Sequence, residues 1–279
     1  MTEAEAGVYI SGEKKAKTMS RALIVIPARY GSERLPAKVL ADLAGKPMVQ
    51  WVWERAVQAK KADEVVVATD DERVASAVKA FGGKVAMTAA THQSGTERVA
   101  EVAGKLGFEI VVNLQGDEPL FSPLAIDQLI NVLREQESVQ MASLRVKIRN
   151  YEDYINPNMV KVVCDDQDFA LYFSRSPLPF YRGREKELAQ WKKTGRLPEE
   201  LWPPPFKHLG IYGFRSEFLS AFTQLPLSAL EQAERLEQLR ALAWGFKIKV
   251  VETDFDSVSV DVKDDLEKVS TILKRGLER

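Results

Sequence analysis

A repeated alternation of short apolar runs with segments of helical period constrains this chain more than any other feature. "ALIVIP" (22–27), "EVVVAT" (64–69), "KVAM" (84–87) and "EIVVNLQ" (109–115) read as strands. The first is apolar throughout and closed by Pro27, the pattern of a strand covered on both faces. "PMVQWVWERAVQA" (47–59), "ERVASAVKAF" (72–81), "TERVAEVAGKLG" (96–107) and "PLAIDQLINVLREQ" (123–136) carry apolar residues at helical spacing, the second stopped by Gly82-Gly83. Strand alternating with helix predicts right-handed βαβ units and a mostly parallel, Rossmann-like α/β sheet. Such sheets bind ligands beyond the carboxyl ends of their strands.

The rhythm changes after residue 140. "QMASLRVKI", "MVKVVCD" and "FALYFSR" are strand-like and closely spaced. Residues 181–206 are charged and then proline-rich ("RLPEELWPPPF"), which predicts an exposed loop. "KHLGIYGFR" (207–215) reads as a strand, "ALEQAERLEQLRALAWG" (229–245) as one long amphipathic helix ended by Gly245, "FKIKVVET" (246–253) as a strand and "KDDLEKVSTILKR" (263–275) as a closing helix. The expected organisation is a flexible N-terminal arm (1–20), an α/β core (21–140), a smaller mixed subdomain (141–245) and a C-terminal strand and helix returning to the core (246–279). The arm lacks the apolar stretch of a signal peptide, and reads equally as an over-long start before Met19.

The 279 residues allow one large or two modest domains with ample core. With 39 basic and 40 acidic residues, no global field points toward nucleic acid or an anionic membrane. Cys164 is the only cysteine, so no intrachain disulfide forms and a reducing cytoplasm is the natural compartment. No apolar run reaches the roughly 20 residues of a membrane helix.

Charge is concentrated locally. Arg29, Ser32, Arg34 and Lys38 follow directly on the first strand, where the loop faces the ligand crevice. Arginine forks and a lysine point charge suit a triphosphate. The spacing fits neither a Walker A loop nor G-x-G-x-x-G, and on charge alone the cluster reads equally as a solvated loop. Asp117, in "QGDEP", leaves a strand between Gly116 and Pro119; it is a hard oxygen ligand of the kind Mg²⁺ takes, or a turn residue. Asp261, in "VSVDV", precedes the last helix and reads as a second such ligand or as a cap. Asp70-Asp71 opens a helix and reads as a cap, and Asp254 and Asp256 as solvated loop charges. "QSGTER" offers the Ser94 hydroxyl and the amides around Gly95 to the edge of a base, and is also a plain capping sequence. His208 and Tyr212, four apart in "KHLGIY", share one face of a strand, where Arg175 and Gln115 could join them as hydroxyl and carboxylate binders.

"IPARYGSERLPAKVLADLAGKPM" resembles the N-terminal signature of sugar nucleotidyltransferases, especially the acidic-sugar cytidylyltransferases. "ATDDERV", "THQSGTERVAE", "VVNLQGDEPL", "NPNMVKVV", "ALYFSRSPLPF", "KHLGIYGFR", "LEQAERLEQLRAL" and "SVDVKDDLEKV" continue the likeness in order, to about residue 275. Together they resemble the 3-deoxy-manno-octulosonate (Kdo) cytidylyltransferase family. That resemblance implies transfer of CMP from CTP to Kdo, with release of pyrophosphate, for lipopolysaccharide biosynthesis. It implies catalytic roles for Lys38, Asp117 and Asp261, with Asp117 and Asp261 as Mg²⁺ ligands. It implies CTP contacts from Ala28, Arg29, Ser32, Arg34, Lys38, Ser94, Gly95 and Asp117. The sugar-acid pocket is implied to hold Gln115, Arg175, His208 and Tyr212, with Glu231 and Glu234 at its rim. A homodimer packed through the middle strands and the "ERLEQLRALAW" helix is implied as well.

The family usually has "GVDTPEDL" around the second aspartate, where this chain has "SVDVKDDL". Rival readings are a cytidylyltransferase for sialic acid or 8-amino-Kdo, a metal-dependent glycosyltransferase, and a non-catalytic nucleotide-sugar binder. The glycosyltransferase needs a D-x-D at a strand end, which "QGDEP" does not supply. Lys38, Asp117 and Asp261 argue against the binder.

Overall fold

A computed structural model of the chain describes residues 19–31 and 35–277; the expectations for Ser32, Arg34 and residues 1–18 of the arm lie outside the described residues. The first half runs β1 (Ala22–Pro27), β2 (Asp42–Leu43), β3 (Lys46–Pro47), α1 (Met48–Ala56), β4 (Glu64–Thr69), α2 (Glu72–Ala80), β5 (Lys84–Met87), α3 (Gly95–Leu106), β6 (Ile110–Asn113) and α4 (Pro123–Glu135). The second half runs β7 (Met141–Lys147), α5 (Tyr151–Ile155), β8 (Lys161–Cys164), β9 (Ala170–Ser174), α6 (Glu185–Thr194), β10 (Phe206–Arg215), α7 (Ser216–Gln224), α8 (Ala229–Glu234), α9 (Leu239–Ala243), β11 (Ile248–Glu252) and α10 (Lys263–Leu277).

One sheet carries the fold, with strands in the order β11-β7-β10-β6-β1-β4-β5 and the β8–β9 pair attached to β10. β6, β1, β4 and β5 are parallel neighbours, β10 lies antiparallel between β6 and β7, and β11 is parallel to β7. The protein is thus α/β with a mostly parallel central sheet. The stretch expected as a smaller subdomain supplies β7 and β10 to this same sheet and adds the β8–β9 hairpin beside it.

The apolar run of β1 is explained by parity. Successive side chains of a strand face opposite ways. Ala22, Ile24 and Ile26 enter the core formed with α1, α2 and α4, while Leu23 and Val25 enter the core formed with α3 and α7. Both faces are dry, so no polar residue is tolerated.

From β1 the chain moves outward through β4 to β5, and then returns to place β6 on the other side of β1. The strand order therefore reverses between β1 and β6, and ligands of open α/β sheets bind at such a switch point. Pro27–Arg29 and Gln115–Asp117 leave the sheet there. The two loops touch closely: a Cβ on Gly116 would stand 2.8 Å from the Pro27 carbonyl, so only glycine fits.

Two local expectations are corrected. Residues 229–245 are not one helix. α8 ends at Arg235, whose φ of 53° is left-handed, and α9 begins only at Leu239. The break has tertiary causes: Glu234 accepts from the Ser174 hydroxyl (2.6 Å) and the Arg175 amide (3.0 Å), and Glu237 accepts from the Thr96 hydroxyl (2.5 Å). Nor are residues 181–206 all loop. α6 forms there and closes on Gly195, and its Trp191 is fully buried against Tyr151 and Tyr154.

Candidate active site

Lys38 opens a single 3-10 turn just after Ala37, which is itself left-handed (φ 53°). This turn aims the Lys38 side chain back over the switch point. Its ammonium lies 2.6 Å from Asp117 Oδ2 and 3.3 Å from Asp261 Oδ1. Asp117 is delivered by the loop after β6. Asp261 arrives from the far end of the chain, and the Val260 amide donates to the Asp117 carbonyl (2.9 Å) to set the two side by side. The start of α10 needs no proline. Asp265 accepts from the amides of Asp261 and Val262, both at 3.1 Å, and this closes the first turn with an aspartate that "SVDVKDDL" shares with "GVDTPEDL".

On one side of this triad is a cavity of about 340 Å³, lined by Arg29, Lys38, Ser94, Gly95, Gln115 and Asp117 among others. Ser94 is the N-cap of α3, accepting from the Glu97 amide (3.2 Å), so the helix start and its amides border the cavity. Ala28, between the lining residues Pro27 and Arg29, is itself buried, with its amide donated to the Ala68 carbonyl (2.8 Å). Arg98, missed in the sequence reading, also lines it; the guanidinium is buried and donates to Thr88 and to Asp70. His92, likewise missed, is held by Glu101 (2.6 Å). The Lys105 ammonium, foremost, and the Ala89 amide keep the Glu101 carboxyl down at about 2.

On the other side is a cavity of about 650 Å³, lined by His208, Tyr212, Lys207, Glu118, Ser257 and Asp261 among others. His208 and Tyr212 share a face, with ring centroids 5.5 Å apart. Between them β10 carries a bulge against β7, and the Ser143 hydroxyl stitches it by pairing with His208 Nε2 (2.8 Å) and donating to the Ile211 carbonyl (2.8 Å). Burial, with Lys207 nearby, pushes the His208 imidazole down to about 3, so it is neutral. Burial pushes the Tyr212 phenol up. Burial also raises the Glu118 carboxyl to about 7, opposed by the Ser257 hydrogen bond.

The other expected sugar residues are placed differently. Gln115 lines the Arg29 side, with its amide donated to Asn113 (3.2 Å). Arg175 is in the lining of neither cavity; its guanidinium donates to the carbonyls of Glu234 (2.8 Å) and Pro157 (3.1 Å). Glu234 anchors the Ser174–Arg175 backbone as described. Glu231 is buried in a two-pronged pair with Arg240 (2.6 and 2.9 Å) and completes a capping box with Ser228. Asp71 caps α2, and Asp256 accepts from Lys207 (2.7 Å). Glu118 stood beside Asp117 in "QGDEP", and its one readable signal was an acid held between an aspartate and a proline at a strand end.

A basic side chain and paired carboxylates meet at the switch point of this sheet, between two cavities. Comparison with known proteins supplies the class. Residues 23–248 match the family described as cytidylyltransferase. The 3-deoxy-manno-octulosonate cytidylyltransferase of Geobacter sulfurreducens is 52% identical over 90% of this chain and 98% of its own length. That of Geotalea uraniireducens is 51% identical, again over 90% and 98%. A solved structure of CMP:2-keto-3-deoxy-manno-octonic acid synthetase complexed with CTP superposes with a TM-score of 0.83 at 44% identity, over 92% of this chain and 100% of that one. The chain belongs to the 3-deoxy-manno-octulosonate cytidylyltransferase family, and it is an enzyme.

Proposed function

We propose that this enzyme transfers CMP from CTP to the anomeric hydroxyl of Kdo and releases pyrophosphate, as a homodimer in the cytoplasm and in the service of lipopolysaccharide synthesis. One observation carries the reading: Lys38 ties Asp117, which borders the Arg29 cavity, to Asp261, which borders the His208 cavity. The reacting α-phosphate and the attacking hydroxyl would meet at that junction.

CTP occupies the Arg29 side in this reading. Arg29 and Lys38, with Arg34, neutralise the triphosphate, while Ser94, Gly95 and the Ala28 segment flank the base. Kdo occupies the His208 side. Neutral His208 and Tyr212 orient its hydroxyls, and Arg175 and Gln115 approach its carboxylate from the borders. Glu234 keeps its part by holding Arg175, and Glu231 by holding the α8–α9 turn. In-line displacement at phosphorus calls for positioning and charge neutralisation more than covalent catalysis.

The carboxylates fit a divalent cation. Asp117 and Asp261 already converge on one positive charge, the Lys38 ammonium. Two carboxylates suit Mg²⁺, which commonly takes its remaining ligands from substrate phosphates and water. Asp117 and Asp261 would hold it. When bound, Mg²⁺ supplies charge neutralisation at the phosphate and acidifies the attacking hydroxyl.

A pyrophosphate-release assay over a grid of nucleoside triphosphates and sugar acids tests the proposal. Release with CTP and Kdo, and not with CTP and sialic acid, is expected. Preference for sialic acid or 8-amino-Kdo would replace the substrate, and no release with any sugar acid would overturn the proposal.

A further inference from the structure

Asp261 sits in residues 253–262, between β11 and α10, where no strand or helix ladder fixes the backbone. Its position is set by separate contacts. Near the middle of the segment, Ser257 is gripped from two directions. Its hydroxyl, 3% exposed with the rest of the residue, donates to the buried Glu118 carboxylate. Its carbonyl accepts from Lys207 (2.8 Å), whose ammonium also holds Asp256 (2.7 Å). Glu118 adjoins Asp117 in sequence, and Lys207 adjoins His208. The grip therefore joins the loop carrying Asp117, the strand carrying His208 and the segment carrying Asp261.

We propose that Ser257, Glu118 and Lys207 form a positioning latch that sets the Asp261 carboxylate opposite Asp117, and so determines how tightly the pair holds a divalent cation. None of the three is assigned a contact with CTP. Without the grip, residues 253–262 retain the Thr253–Arg145, Val260–Asp117 and Asp265 contacts, but the stretch from Asp254 to Ser259 loses its polar tie to the sheet. Groups that orient metal ligands from behind are commonly worth 10–100-fold in metal affinity. The proposal rests on Asp117 and Asp261 being the metal ligands.

The test is direct binding of Mn²⁺, followed by electron paramagnetic resonance in the presence of CTP, on the full chain. CTP affinity without metal and melting temperature are measured alongside. Ser257→Ala and, separately, Lys207→Met should each weaken Mn²⁺ binding about 10-fold while CTP affinity without metal stays unchanged; Lys207→Arg should restore it. Asp261→Asn is the reference. If Asp261→Asn weakens Mn²⁺ binding and neither latch variant does, the latch is overturned. If Asp261→Asn itself leaves Mn²⁺ binding unchanged, the metal-ligand reading fails, and the latch proposal fails with it.

Discussion

Lys38 and Asp117, 79 positions apart in sequence, meet across the switch point of the sheet with ammonium and carboxylate 2.6 Å apart. The lysine side chain is 13% exposed, so this contact is shielded from water and salt more than a surface ion pair would be. Lys38→Met should raise the CTP KM and lower kcat. A charge-assisted bond from Lys38 to a CTP phosphate would contribute about 1.5–3 kcal/mol, or about one to two decades in KM. The variant should also melt a few degrees lower in metal-free buffer, because Asp117 and Asp261 are left facing each other, and added Mg²⁺ should restore the loss. Steady-state kinetics and thermal melts with and without Mg²⁺ check both parts. A melting loss with unchanged CTP kinetics would make Lys38 purely structural.

Glu231 should behave as a core residue. It and Arg240 are each buried and doubly bonded to one another. Glu231→Gln removes the closer of the two carboxylates at the guanidinium and leaves Glu237 at 3.8 Å; breaking a buried pair costs about 3 kcal/mol. Denaturant unfolding should show that loss while the KM for each substrate moves little. A selective rise in the sugar KM at unchanged stability would place Glu231 at the sugar instead.

Arg175→Lys should weaken Kdo binding more than CTP binding. The guanidinium donates from Nε and Nη1 to two carbonyls, and lysine cannot keep those bonds while also presenting a fork to a carboxylate. A rise of about tenfold or more in the sugar KM, with the CTP KM nearly constant, is expected. An equal rise in both would assign Arg175 to the framework alone.

His208 makes stability depend on pH. Its folded value is depressed to about 3 from the ordinary 6.5 by burial, so the unfolded chain binds the extra proton between those limits. Stability from this group is complete above about pH 6.5 and is lost as pH falls toward 3, at up to about 1.4 kcal/mol per pH unit. Urea unfolding at pH 7 and pH 5 should show a smaller decline for His208→Gln than for the unaltered chain. Equal declines would mean that His208 accepts a proton in the folded state.

The legibility of these elements follows their physics. β1 was readable because both of its faces are buried, which leaves a continuous apolar run. The Lys38 turn and Asp117 were readable because glycine and proline punctuate a strand end. For Asp261 the residues alone left ligand and cap open, and the family resemblance favoured the ligand, since nothing local in "VSVDV" shows that Val260 will bond to Asp117. The break at Arg235 was hidden because "EQAERLEQLRAL" favours helix throughout, and the partners that break it, Ser174, Arg175 and Thr96, lie elsewhere in the chain. α6 was hidden by its charge: its one buried anchor, Trp191, is buried by tyrosines from α5 and from Tyr181. Glu118 and Lys207 were hidden because a buried charge is recognisable only by its partner.

In the proposed reaction one bond forms between the sugar oxygen and the α-phosphorus of CTP while pyrophosphate leaves. The most direct measurement is phosphorus NMR of the protein incubated with CTP, Kdo and Mg²⁺. The three CTP signals should give way to one phosphodiester resonance and to pyrophosphate in equal molar amounts, and Asp117→Asn should slow this about 100- to 1,000-fold. Formation of CDP and a sugar phosphomonoester, or of CMP and pyrophosphate with no phosphodiester, would contradict it.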